Sequence, residues 1–148
     1  MIIKNFRIQE GNHYCNPTIP ILTLKHEISG VICFRDINYE VDRDHVKDTN
    51  KIIGLSNNWH HHKDSVRIGW RKNIDDESEY SNAIEIMVTY YENGKRTIIP
   101  LTTTKPTAID KYKIKITKDS YVVRYNEAEV SIPINKKQFP IHYVCKPF

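Results

Sequence analysis

The chain has 148 residues and a mass of 17.5 kDa, with 39% hydrophobic residues, 27% charged residues and a formal net charge of +4. A chain of that length buries roughly two thirds of its unfolded surface and suits a single domain over residues 1–148, and its mixed composition excludes the disordered class. No apolar run reaches the roughly 18 residues of a membrane helix, and basic residues are dispersed among acidic ones, so nucleic acid is permitted as a partner and not implied.

Apolar residues recur with period two at short intervals, turn residues separate the runs, and the helical period is almost absent. Met1–Ile8 is predicted as a first strand and Gly11–Pro20 as a loop. Ile28–Phe34 follows as a strand, with Gly30 marking a bulge or the close approach of another backbone. Asp36–Asn50 reads as a solvated acidic loop around a short strand at Tyr39–Val41, and Lys51–Leu55 as the next strand. Ser65–Arg71 and Ala83–Tyr91 alternate most cleanly, separated by the acidic turn IDDESEYSN. Glu92-Asn93-Gly94 turns the chain into a strand over Lys95–Leu101, because Asn-Gly supplies the positive φ angles of a tight hairpin. Strands over Lys111–Thr117, Tyr121–Tyr125, Glu129–Pro133 and Ile141–Cys145 complete the series.

About ten short strands in one domain predict an all-β fold, an antiparallel two-sheet β-sandwich of jelly-roll or concanavalin A-like type. Cys15, Cys33 and Cys145 are an odd number without a C-x-x-C pair, which predicts buried or half-buried thiols and no disulfide framework. The N-terminal MIIKNFRIQEGNHYC lacks the apolar run of a signal peptide, so no export is expected. The bias toward Ile, Lys, Asn and Tyr is that of an AT-rich genome, as many phages have.

The segment YKIKITKDSYVVRYNEAEVSI resembles a meander of concanavalin A-like (laminin-G-like) sandwiches over about the last quarter of the chain. NKIIGLSNN, HHHKDSVRIGWR and IEIMVTYYENGKR together resemble an uncharacterised family of Bacteroidetes and their phages, the crAss-like phages included. The matching positions are Asn50, Lys51 and Gly54; His60, His61 and His62; Ser65, Arg67, Gly69, Trp70 and Arg71; and Asn93, Gly94 and Arg96. That likeness spans about a third of the chain and implies no established activity. Similar chains continue past the point where this one stops, at Lys146-Pro147-Phe148. The likeness thus implies a closing strand that is missing or supplied by a neighbouring molecule.

The densest chemistry lies in NWHHHKDSVRIGWRKN. In an extended segment His60 and His62 share a side and can share a ligand, while His61 points away. Zinc needs at least three protein ligands, and His13, Cys15, His26, His45 and His142 are all possible partners that no spacing selects. The other reading is a polar loop packed beside Trp59. In SVRIGWR, Val66, Ile68 and Trp70 form a core face, and Ser65, Arg67, Gly69 and Arg71 the opposite one. Arg67 and Arg71, about 13 Å apart, can grip an anion or a sugar, with a gap at Gly69 for the ligand; alternatively they pair with Glu85 or aspartates of neighbouring strands. Tyr90, Tyr91, Tyr121 and Tyr125 are stacking platforms or ordinary core.

Catalytic patterning is not found: no E-x-D-x-x-E strand, G-x-S-x-G elbow or glycine-rich phosphate loop occurs. The expectation is a non-enzymatic binding or assembly module, phage-encoded and virion-associated as a capsid or tail accessory protein, residing in the virion or the host cytoplasm. Its expected partners are copies of itself or other virion proteins, with no membrane, cofactor or metal. The expected ligand-binding residues are Trp59, His60, His62, Ser65, Arg67 and Arg71. A lectin-like carbohydrate binder is the alternative, and a metal-dependent hydrolase or small-nucleotide binder using the histidines is a further one.

Overall fold

The computed structural model describes residues 21–35, 49–57, 59–60, 62–72, 83–134 and 142–145. The expected strands at Met1–Ile8 and Tyr39–Val41, the loop Gly11–Pro20 and the acidic turn IDDESEYSN lie outside these residues. The described chain forms β1 (Ile21–Thr23), β2 (Glu27–Ile32), β3 (Asn50–Ser56), β4 (Ser65–Lys72) and β5 (Ile84–Glu92). It continues with β6 (Lys95–Thr104), β7 (Asp110–Ile116), β8 (Ser120–Tyr125), β9 (Ala128–Pro133) and β10 (His142–Cys145). All pairings are antiparallel, in a six-stranded sheet of order β1-β10-β3-β4-β5-β6 and a four-stranded sheet of order β2-β7-β8-β9. The protein is a β-sandwich. β1 was not anticipated: three residues beside Pro20 carry too little alternation to be read as a strand.

Period-two alternation builds the core. Leu55, Val66, Ile68, Ile84, Ile86 and Val88 point inward from the six-stranded sheet, and Ile114, Ile116, Tyr121, Val123, Tyr125 and Ile132 meet them from the other. Burying each aliphatic side chain contributes about 1.5–3 kcal/mol, which makes this layer the main source of stability. Ile52 on β3 and Leu101 on β6 are each one residue too many for the facing strand, and both turn toward the core as bulges. β6 is an edge among the described strands, and Pro100 interrupts its hydrogen-bonding potential there.

Gly30 is neither a bulge nor a backbone crossing. It pairs with Tyr112, whose ring would stand 2.9 Å from any added Cβ. The aromatic side chain fills the space glycine leaves. Cys33 is exposed and not buried, because Ile32 and Phe34 on either side of it pack against the core and the alternation turns Cys33 outward; its thiol lies 3.7 Å from the Thr107 carbonyl.

Candidate functional site

β3 and β4 form a hairpin that pairs through Ser56 and Ser65, and its loop carries the histidine segment. The Asn57 N–H donates to the Asp64 carbonyl at 3.0 Å, as does the Ser56 hydroxyl at 3.0 Å, and the Lys63 N–H donates to the His60 carbonyl at 2.8 Å. The segment therefore turns at His60–Lys63 and is not extended, so the side-sharing of His60 and His62 expected from strand geometry does not apply. The turn arises because the chain must reverse within eight residues to keep Ser56 opposite Ser65.

A second hairpin tip, Asn93-Gly94 between β5 and β6, locks onto this loop. Both residues have positive φ, 54° and 83°, as the Asn-Gly pair predicts. The Gly94 N–H donates to the Lys63 carbonyl at 3.0 Å, and the Asn93 N–H donates to the Asp64 carboxylate at 3.2 Å. Two adjacent turns thus hold each other at one end of the six-stranded sheet.

The aromatic side chains of the loop settle on different strands. Trp59, 55% exposed, stands edge-on to Tyr143 of β10 with ring centroids 5.6 Å apart. His62 meets Tyr91 of β5 at 5.0 Å, and His60 is exposed. Burial first, then the charges of Arg67, Lys51 and Arg96, holds the His62 imidazole below its ordinary pKa. Arg67, Lys51 and Arg96 thus bring positive charge near the imidazole.

On β4 the face opposite the core is not open. Ser65 and Arg67 are 0% exposed, and Thr89, Met87 and Tyr91 beside them on β5 are at most 6% exposed. β4 and β5 are buried on both sides. The Arg67 stem lies across Gly54, its partner on β3: a Cβ at Gly54 would come within 2.9 Å of the Arg67 Cα and collide with the Val66 carbonyl. The expected gap at Gly69 is filled by the Thr49 side chain and the Asn50 carbonyl, the latter 2.8 Å from where a Cβ would stand. Arg71 is ion-paired with Glu85, directly opposite on β5, as the alternative reading had it. Trp59, His60 and His62 therefore stand on the surface, while Ser65 and Arg67 belong to the interior and Arg71 to a cross-strand pair.

The tyrosines are packed and not free platforms: Tyr121 and Tyr125, at most 3% exposed, belong to the core, Tyr90 packs against it partly buried, and Tyr91, 6% exposed, is buried on the opposite face of β5. Burial, reinforced by Asp64 and Glu92, pushes the Tyr121 phenol well above its ordinary value, and it accepts from the Asn57 amide at 3.3 Å. Those acids and Tyr121 line a shallow cleft with Pro133 and Ile134 beside the loop. Among the described residues no three His, Cys, Asp or Glu side chains converge as metal ligands would; His13, Cys15 and His45 lie outside them.

One polar centre escaped sequence reasoning. Asp110, at the start of β7, accepts from the Thr104 hydroxyl at 2.5 Å, the Tyr125 phenol at 2.8 Å and the Asn126 amide at 2.7 Å. Burial alone would push this carboxyl up, but the three hydrogen bonds outweigh it and hold it below its ordinary value. Its only sequence signal is a lone acid where a strand begins, and that does not distinguish a hub from a solvated turn. Comparison with known protein families and with curated proteins finds no match to this chain.

Proposed function

We propose that the protein is a non-enzymatic binding module that works in assembly, docking through the end of the six-stranded sheet that displays Trp59. The observation that carries this reading is a large aromatic side chain, 55% exposed, on a loop tied down by the hydrogen bonds of two interlocked hairpins. Tryptophan is enriched among the few residues that dominate interface energies, and a loop ordered beforehand loses little entropy on docking. The finer assignment, a virion-associated capsid or tail accessory protein, rests on the likeness of the HHH-x2-S-x-R-x-G-W-R motif to the phage and Bacteroidetes family. Copies of the chain are the first partner to test.

Light scattering of the purified protein over a range of concentrations is the experiment. A mass that is a defined multiple of 17.5 kDa is expected, falling to the monomer in Trp59→Ala with the circular dichroism unchanged. Monomers for both proteins at all concentrations would refute self-assembly through this end. The same indole supports a second reading, carbohydrate binding by ring stacking, now centred on Trp59 and His60 because Arg67 is buried. Glycan binding abolished by Trp59→Ala in a protein that stays monomeric would favour it.

A further inference from the structure

The outward face of the four-stranded sheet is open, unlike that of β4 and β5. Along β7 the alternation sends Tyr112, Ile114 and Ile116 toward the core and leaves Lys111, Lys113 and Lys115 exposed. Cations that look dispersed in the linear sequence are thereby gathered on one side. In the register of the sheet, Arg124 on β8 stands directly beside Lys113. These four cations occupy the two central strands, whereas the carboxylates on this face, Glu27 and Glu129, are on the edge strands β2 and β9.

Two ion pairs cross the face, Lys113 to Glu27 at 3.0 Å and Arg124 to Glu129 at 2.8 Å. All four side chains in these pairs are at least 40% exposed, so each pair contributes about 0–1 kcal/mol and yields readily to a competing anion. Four cations against two carboxylates leave a surplus of two positive charges, and Lys111 and Lys115 appear in neither pair.

We propose that this face is a sequence-independent docking surface for the phosphate backbone of duplex DNA. Lys111 to Lys115 span about 13 Å of extended strand, and duplex DNA presents a charge every ~1.7 Å of its axis, so the row meets several phosphates at once. None of the outward positions on the four strands carries an aromatic ring. Without a stacking platform the face has little to offer the bases of a single strand, and charge is what remains to recognise. The surface is separate from the Trp59 end and stands or falls independently of assembly there.

The test is fluorescence anisotropy of two fluorescein-labelled duplexes of unrelated sequence, titrated with the full chain from 20 to 200 mM KCl. Both are expected to bind with Kd on the order of 10⁻⁴–10⁻⁶ M and within threefold of each other, with log K falling against log salt with a slope of about −3 to −4 for four phosphates. Lys111→Gln/Lys113→Gln/Lys115→Gln should weaken binding at 50 mM KCl at least tenfold and reduce the slope to about −1. Lys95→Gln/Lys105→Gln, on the other sheet's edge strand and the loop after it, should leave it within twofold. The triple variant should keep the wild-type circular dichroism and mass in solution, which separates loss of this site from loss of fold or assembly. No saturable binding at 20 mM KCl, a triple variant that binds as well as wild type, tenfold discrimination between the duplexes, or binding of heparin but not DNA would each overturn the proposal.

Discussion

Replacing Asp110 with alanine is expected to cost the fold about 4 kcal/mol. The carboxylate is 6% exposed and joins the two sheets, because Thr104 ends β6 in one, while Tyr125 ends β8 in the other and Asn126 follows it in the turn. Truncation leaves the Thr104 hydroxyl, in a residue 9% exposed, and the phenol of Tyr125, 0% exposed, facing a void. An orphaned buried donor to a charged partner costs roughly 1.5–2 kcal/mol, and the exposed Asn126 amide about 0.5 kcal/mol because water replaces the carboxylate. For a domain of this size that sum lowers the thermal midpoint by about 8–16 °C. Urea unfolding followed by circular dichroism measures the loss. Asp110→Asn keeps the shape but turns an NH2 toward donors, so it should lose about half as much. Coupling of 1–2 kcal/mol is expected in a double-mutant cycle with Tyr125→Phe. The pH dependence follows from the lowered carboxyl. The unfolded chain takes up this proton first, so the contribution is fully present above the ordinary value of 3.8 and is lost as pH falls through the lower folded value. Asp110→Ala should lack that acid-dependent component. A loss under 1 kcal/mol for Asp110→Ala would refute the reasoning, since it would mean that the three donors find water without strain.

Two further outcomes follow from local geometry. Thr107 occupies the third position of the turn Lys105–Ala108, behind Pro106, with φ of 67°. A β-branched residue is strained in that left-handed region, so Thr107→Gly should raise stability by about 0.5–1 kcal/mol in the same urea experiment, after the added freedom of the unfolded chain is subtracted; no gain would mean that the threonine side chain compensates its own strain. For His62, held below 6.5 by burial and then by Arg67, Lys51 and Arg96, Arg96→Gln should raise the imidazole midpoint in an NMR titration. An unmoved midpoint would show that Arg96 does not reach the ring. Because the unfolded chain protonates first, the contribution of His62 to stability is present above pH 6.5 and is lost as pH falls below it.

Strands β3 through β10 were legible because each carries its own alternation, and the Asn93-Gly94 turn because its dipeptide has few alternatives to positive φ. Inward alternation runs two residues past the end of β2, to Phe34, and β1 is too short to carry any. The candidate site was only partly legible. Nothing in the histidine run itself signals a reversal, yet the β3–β4 register forces it to turn. Arg71 could be matched to Glu85 as one option among several, and only the β4–β5 register made them direct neighbours. Gly69 looks like an opening in the sequence, whereas the structure fills it with Thr49 and the Asn50 carbonyl.

What the sequence by itself determined is the class of the protein: all-β, antiparallel, a sandwich whose core is the inward half of each alternating strand. Period two is a property of neighbours along the chain, and it appears whether or not the partner strand is known. What only the tertiary structure decided is the fate of the outward half. Lys111, Lys113 and Lys115 alternate as regularly as Ser65, Arg67 and Gly69, yet the first set is exposed and the second is buried. The difference lies in what packs over a face, as the Thr49 side chain does at Gly69, a contact between residues far apart in the chain that leaves no mark on the alternation of the strand beneath it.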